Sequence, residues 1–298
     1  METKMKQLTP RQFVNERTTG LLIRGFATKP EQVPARVVMM DTMITKALAA
    51  RVENRPFIKR VDVLVWANQK DYPGEADCGE LTPALRQHFM NDPHVFIHEV
   101  TTGDLFCSIL NYGVALQSRA GCDYSVIASS AANEYWNEDV PAEMVRLAGL
   151  GALAIGVAIN ELTESIKEGR LANTMAMWHN ISLLSVGGFD LRAQKPRNDR
   201  DAHYIKGVDE NGAEQYYHLG GVEEVIPLAR LVDDFGRCLG VIESKDPSLR
   251  YQTPDPAIDP EGYRRNKAKF STKTGRQWAH LAHIGRDFSH LQSGVMEV

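Results

Sequence analysis

Apolar residues recur along this chain in two rhythms, and the change between them marks out its elements. After Pro34, the residues Val37, Val38, Met40, Ile44, Leu48 and Val52 fall roughly at helical spacing, which predicts a helix from Pro34 to about Val52. Val61-Asp-Val-Leu-Val-Trp66 is nearly continuous in β-favouring apolar side chains, the pattern of a parallel strand buried on both faces. His94 to Glu99, Asp123 to Ala128 and Ala152 to Ile159 read as further strands. Helices between them open at Thr82-Pro83, after Gly103 (carrying Leu110, Asn111, Val114 and Leu116) and at Pro141. Strands alternating with helices specify βαβ units and a mostly parallel sheet. Residues 203–218 differ: Asn211-Gly212 lies between the β-favouring runs Tyr204 to Val208 and Tyr216-Tyr217, a hairpin signal. Residues 1 to about 35 are mixed and polar and are expected to form an irregular arm. From Asp246 onward, four prolines and a basic run (Arg264, Arg265, Lys267, Lys269, Lys273) indicate a second arm, docked by a short helix from Gln277 to Ile284.

Composition narrows the function classes. A chain of 298 residues with 43% hydrophobic content buries one large core or two smaller ones. Its formal charge of −4 gives no electrostatic case for nucleic acid. Cys78, Cys107, Cys122 and Cys238 lie far apart with no CxxC, so neither a zinc site nor a disulfide framework is expected, and a reducing, cytoplasmic setting is. The first eight residues lack the apolar core of a signal peptide. The most apolar run, Leu147 to Ile159, falls short of the roughly 20 residues of a spanning helix, so no transmembrane segment is expected. Oligomeric state is open.

Two stretches carry the chemistry. Trp178-His-Asn-Ile-Ser-Leu-Leu-Ser-Val-Gly-Gly-Phe-Asp190 runs an amphipathic segment into a glycine pair, where the backbone turns tightly or approaches a ligand. Gly221-Val-Glu-Glu-Val-Ile-Pro-Leu-Ala-Arg230 places the acids Glu223 and Glu224 at the start of a helix with Leu228, Leu231 and Val232 on one face. This order resembles the acceptor half of the GT-A glycosyltransferases, the nucleotide-diphospho-sugar transferase fold. There a "vGGFD" turn precedes an "ED" pair, then a helix with an Arg and a later Gly, here Arg230 and Gly236. The resemblance covers roughly Val61 to Ser244. It implies an α/β fold with a GT-A-like mostly parallel sheet flanked by helices, a β-hairpin insertion and a C-terminal arm. The corresponding divisions are 1–55 (arm and helix), 56–245 (transferase domain) and 246–298 (arm).

The resemblance also implies roles. Ligands of open α/β sheets bind beyond the carboxyl ends of the strands, which puts Trp66, Asn68 and Gln69 at a nucleotide mouth. Trp66 either stacks on a base or is a core aromatic, and Glu99 either meets the base or ribose or is a solvated strand end. Asn111-Tyr-Gly113, followed by Gly121-Cys-Asp123-Tyr124, resembles the family's run into its metal strand, so Asn111 and Asp123 are placed on the nucleotide side. Trp178, Gly187, Gly188 and Asp190 would shape the acceptor side. Glu224 matches the family's base, with Glu223 beside it; acids opening a helix also serve simply as dipole partners.

One departure concerns the metal. The family's strand ends in Asp-x-Asp, whose carboxylates hold Mg2+ or Mn2+ against the donor diphosphate. Aligned on Asp123, those positions carry Ser129 and Ala131, and the next acid is Glu134. No metal or other cofactor is therefore assigned. Three accounts stay open: a metal-independent transferase using Arg or Lys for the diphosphate, a fold-mate that binds without catalysis, or a different register. Counted from the Val61 strand to Asn111, the chain is also one βα unit shorter than the common pattern. The function implied is inverting transfer from a nucleotide sugar to an unidentified acceptor, with a non-catalytic GT-A-like binding or assembly protein as the alternative. A nucleotidyltransferase would want a Gly-rich, Lys-bearing phosphate loop after the first strand, and Asn68 to Gly79 offers only Lys70. His280, His283 and His290 approach ligand spacing without a completing carboxylate and read as a docked helix. The basic run near Arg264 either touches phosphate or, as such runs more often do, forms a solvated face.

Overall fold

The structure, a computed structural model, describes residues 7–137, 139–158, 168–171, 173–193, 204–208, 214–218, 221–243, 256–258, 260, 263–264 and 273–297. Helix α1 (Pro10–Glu16), started by a Thr9–Gln12 capping box, leads into β1 (Thr19–Gly25). Helix α2 (Val33–Ala49) and a small ladder of β2 (Arg51–Val52) and β3 (Arg55–Pro56) return the chain to β4 (Ile58–Trp66). The unit repeats through α3 (Leu81–His88) and β5 (Val95–Val100), α4 (Cys107–Arg119) and β6 (Tyr124–Ala128), and α5 (Val140–Gly149) and β7 (Ala154–Ala158). Then come β8 (Met175–His179), α6 (Asn180–Ser185), β9 (Tyr204–Val208), β10 (Glu214–His218), α7 (Val225–Phe235), β11 (Leu239–Glu243), α8 (Lys273–His283) and α9 (Phe288–Ser293).

The large sheet has the order β11-β7-β8-β6-β1-β4-β5. Only β8 runs against the rest, paired antiparallel with β6 and β7. Strands β9 and β10 form the expected antiparallel hairpin, Tyr204 opposite His218 and Val208 opposite Glu214; its Asn211-Gly212 turn lies outside the described residues. So do Arg265, Lys267 and Lys269 of the basic run.

From residue 7, where the described residues begin, the first 35 residues do not form an irregular arm. β1 lies at the middle of the sheet, between β6 and β4, with Leu21, Leu22 and Ile23 buried. Its pattern is diluted by glycines that packing demands. A Cβ on Gly20 would come within 2.6 Å of the Gln117 amide, and one on Gly25 would collide with the Met40 methyl group. β1 and α2 also supply the βα unit that a count from the Val61 strand finds missing.

Alternation along the central strands divides the core into two layers. Leu21, Ile23, Val63 and Val65 pack with Met40, Ile44, Leu85 and Val145, while Leu22, Leu64 and Trp66 pack with Leu110, Val114, Leu183 and Leu228. The C-terminal segment is built into the sheet margin. The Gly294 carbonyl accepts from the N–H groups of Cys238 and Leu239, and Met296 N–H donates to the Leu239 carbonyl, each at 2.9 Å. Among the described residues, no helix is long and apolar enough to cross a membrane.

Candidate functional site

β1, β4, β5 and β6 are mutually parallel, so their carboxyl ends share one edge, where ligands of such sheets bind. A cavity of about 320 Å³ opens there, lined by Phe26 and Thr28 after β1, Trp66 at the end of β4, Glu75, and Leu105 and Phe106 ahead of α4. That volume suits a small ligand. Trp66 is 2% exposed and meets Tyr72 and Phe26 edge-on, with centroids 4.9 and 6.1 Å away. Its indole Nε1 is buried with no hydrogen-bond partner among the described residues. Trp66 is thus both a core aromatic and a cavity wall.

Asn68 and Gln69 shape the loop beside this cavity. Asn68 Nδ2 donates to the Gly103 carbonyl at 2.7 Å and to Asp71 at 3.1 Å, and Gln69 Nε2 donates to the Asp77 carbonyl. Glu99 is exposed on the edge strand β5. Asp123 stands at the opposite, entry end of β6. There its carboxylate accepts from Thr18 N–H at 2.8 Å and from Arg17 at 3.0 Å, tying α1 to the sheet at the end opposite the cavity edge.

Asn111 belongs to the GGFD turn. Its Oδ1 accepts from Phe189 N–H and its Nδ2 donates to the Phe189 carbonyl, both at 2.8 Å. Gly187 and Gly188 have φ of 92° and 68°, and a Cβ on Gly188 would come within 2.5 Å of Asn111 Oδ1. Trp178 is fully buried beneath the turn, its ring edge-on to Phe189 at 5.2 Å and its Nε1 donating to Asn173, so it supports the turn from inside. Arg230 of α7 donates to the Val186 carbonyl at 3.0 Å and reaches Asp190 at 3.4 Å. Asp190 also binds Arg192 through both oxygens, at 2.9 and 2.6 Å. The Arg192 and Arg230 guanidiniums outweigh the burial of Asp190 and hold its carboxyl down at about 2.

The acid pair lies at the start of α7. Glu223 and Glu224 are 6% and 3% exposed. Arg24, near the end of β1, stands 3.5 Å from Glu223, and Lys273, the first residue of α8, stands 3.6 Å from Glu224. Arg276, one turn along α8, acts electrostatically on both acids, and burial pushes its guanidinium down. Burial raises the Glu224 carboxyl to about 7, with Lys273 pulling it down and Glu223 pushing it up. A base that meets an acceptor needs an open carboxylate, whereas α8 covers Glu224. Lys273, read as part of a solvated basic face, is 8% exposed because it is drawn onto this pair.

At the carboxyl end of β6, the donor chemistry decides whether a metal is held. Ser129 and Ala131 bring no carboxylate, and Glu134 is turned outward to Lys46 at 2.6 Å. Among the described residues, no three His, Cys, Asp or Glu side chains gather to hold a metal ion. Those residues do not fit the hard-cation chemistry of Mg2+ or Mn2+.

Arg24, Phe26, Phe106 and Arg276 escape a sequence reading. They lie far apart in the chain and only the sheet topology brings them to one edge.

No family model and no curated protein matches the chain. Among solved structures, it is similar to a mannosyltransferase from Pyrobaculum calidifontis in complex with GDP-Man and Mn2+, at 12% identity and a TM-score of 0.57, over 98% of this chain and 72% of that one. Glucosyl-3-phosphoglycerate synthase from Mycobacterium tuberculosis, in complex with UDP, matches at 11% identity and a TM-score of 0.44, over 92% and 86%. The seven-stranded sheet with its one reversed strand, the separate hairpin and the first of these likenesses agree: the chain has the α/β fold of the GT-A glycosyltransferases.

Proposed function

We propose that the protein transfers a glycosyl group from a nucleotide-sugar donor, the base of the donor lying against Trp66 and Glu224 serving as general base. The observation that carries this reading is the aromatic cavity at the ends of β1 and β4, walled by Phe26, Trp66 and Phe106, with the Trp66 indole N–H buried beside it and without a hydrogen-bond partner among the described residues. Flat apolar walls favour a nucleobase, and the buried N–H becomes a donor to its carbonyl or ring nitrogen where the Trp66 ring shifts toward the ligand. Arg24 links this cavity to the acid pair: it donates to the Leu105 carbonyl at 3.0 Å and faces Glu223.

In this reading Glu224 takes the proton of an acceptor hydroxyl. The oxygen attacks the anomeric carbon as the bond to the diphosphate breaks, the leaving diphosphate keeps the electron pair, and the configuration inverts. A pKa near 7 suits a base working at neutral pH. The Asn111-clamped turn and Asp190 hold the acceptor side of the mouth rigid against α7. Because Glu224 is covered by α8, an acceptor hydroxyl comes within reach only once Lys273 gives way. No step is assigned to a metal.

The test is binding. A thermal-shift panel of nucleoside diphosphates and nucleotide sugars, with and without Mn2+, should show stabilisation by one base over the others, as mass action requires of a ligand that binds only the folded state. No stabilisation by any member of the panel would contradict the reading.

A further inference from the structure

We propose that β5 is the interface through which two copies of this chain associate, joining their large sheets edge to edge about a twofold axis at Ile97. β5 is the last strand of its sheet and pairs, among the described residues, with β4 alone. Val61 N–H donates to the His94 carbonyl at 2.8 Å and Ala67 N–H to the Val100 carbonyl at 2.9 Å. In a parallel ladder the alternate residues turn both backbone groups the other way, so the N–H and C=O of Ile97 and Glu99 point out of the sheet. Edges of this kind are commonly blunted by Lys, Pro, a bulge or a covering segment. β5 contains no Lys or Pro, its register with β4 is unbroken, and no described strand pairs with its outer side. The opposite margin is treated differently: Val295 bridges to Leu239, laying the C-terminal segment against β11.

The strand is complementary to itself. Its side chains alternate between two faces. Val95 and Ile97 pack into the layer that holds α3, and Phe96 and His98 lie on the other face. There Phe96 is 38% exposed with the Arg60 guanidinium 3.9 Å from its ring centre, and His98 is bound to Asp62 at 2.8 Å. An antiparallel second copy centred on Ile97 lets the two Ile97 residues exchange their outward backbone groups. It sets Phe96 opposite the second copy's His98 and Val95 opposite its Glu99, with no like charges facing. Centring on Glu99 would oppose two carboxylates, and centring on His98 two imidazoles.

Charge favours this chain itself as the occupant. α3 leads into β5, so its last turn stands near the amino end of the strand. His88 in that turn faces α2, 3.0 Å from Asp41. Arg86 lies two residues earlier, about 200° round the helix, and so faces away from α2 toward the open margin. Arg86 and Glu99 are both exposed. The twofold brings Arg86, beside the amino end of one β5, to Glu99 at the carboxyl end of the other, and does so twice.

Sedimentation velocity of the full chain over a range of concentrations should show a reversible dimer. Arg86→Glu and Glu99→Arg should each weaken it about 2- to 30-fold, the worth of two surface ion pairs, and the double variant should recover it. Both positions are exposed, and melting curves control for folding. Hydrogen exchange of the Ile97 and Glu99 amides should slow as the dimer fills. Ile97→Cys should cross-link to itself under oxidised glutathione, and Glu99→Cys should not. A chain that stays monomeric overturns the proposal, and protected Ile97 and Glu99 amides in that monomer would show that the chain covers β5 itself. A dimer indifferent to both charge reversals, with these amides exchanging equally at every concentration, overturns it as well, because its interface lies elsewhere. Cross-linking through Glu99→Cys in place of Ile97→Cys would reject the axis at Ile97.

Discussion

Asn111 and Phe189 are joined by two hydrogen bonds of 2.8 Å, the side-chain amide of one closing on both polar backbone groups of the other. This pair fixes the GGFD turn to α4 and so sets where Asp190 and α7 stand at the sheet edge. The amide matches the peptide in shape and polarity, so both polar backbone groups of Phe189 are satisfied.

Asn111→Leu should destabilise the fold by about 1–3 kcal/mol for each Phe189 group left buried without a partner. Gly188→Ala should also destabilise it, because its φ of 68° disfavours a side chain and the added methyl meets Asn111 Oδ1. Chemical denaturation of the two variants checks both. Stability near that of the parent would mean the turn is held by something else.

The indole N–H of Trp66 gives a second prediction. Trp66→Phe keeps an aromatic wall and removes the donor, so nucleoside affinity should fall about 2- to 10-fold, the worth of one neutral hydrogen bond, with little change in melting temperature. Calorimetry on the parent and the variant reads this directly. An equal affinity would show that the N–H faces no ligand.

Glu224 sets a pH dependence. As a base it acts when deprotonated, so turnover should rise as pH passes through about 7. Lys273 pulls this pKa down, so Lys273→Met should shift the rising limb to higher pH. Stability runs the other way. Folding raises this carboxyl from 4.5, so its contribution is full below pH about 4.5 and is lost as pH rises through about 7. Glu224→Gln should accordingly flatten the loss of stability between those values, measured by melting across pH.

Much of the sheet was legible because β4, β5, β6 and β7 carry runs of β-favouring apolar residues between helix signals. β1 was not: Gly20 and Gly25 interrupt it, and the reason for them is the approach of Gln117 and Met40, which no local pattern records. The GGFD turn and the acid pair were visible as motifs. Their surroundings were not, since Asn111 reaches across 78 residues to Phe189, and Glu224 meets Lys273 from a helix near the other end of the chain. Asp123 shows the limit of motif reading from the other side. Its spacing to Asn111 was read correctly as the entry to β6, but a residue that enters a strand lies a strand's length from the edge where ligands bind.

The most direct test of the account is release of nucleoside diphosphate from a panel of nucleotide sugars by the parent protein and by Glu224→Gln, with donor affinity measured in parallel. The account predicts that the parent consumes one donor. Glu224→Gln should bind that donor equally well and turn it over about 10²- to 10⁴-fold more slowly, the range lost with a general base. Near-normal release by Glu224→Gln would contradict the role of Glu224, and a parent protein that binds and consumes none of the panel would contradict glycosyl transfer itself.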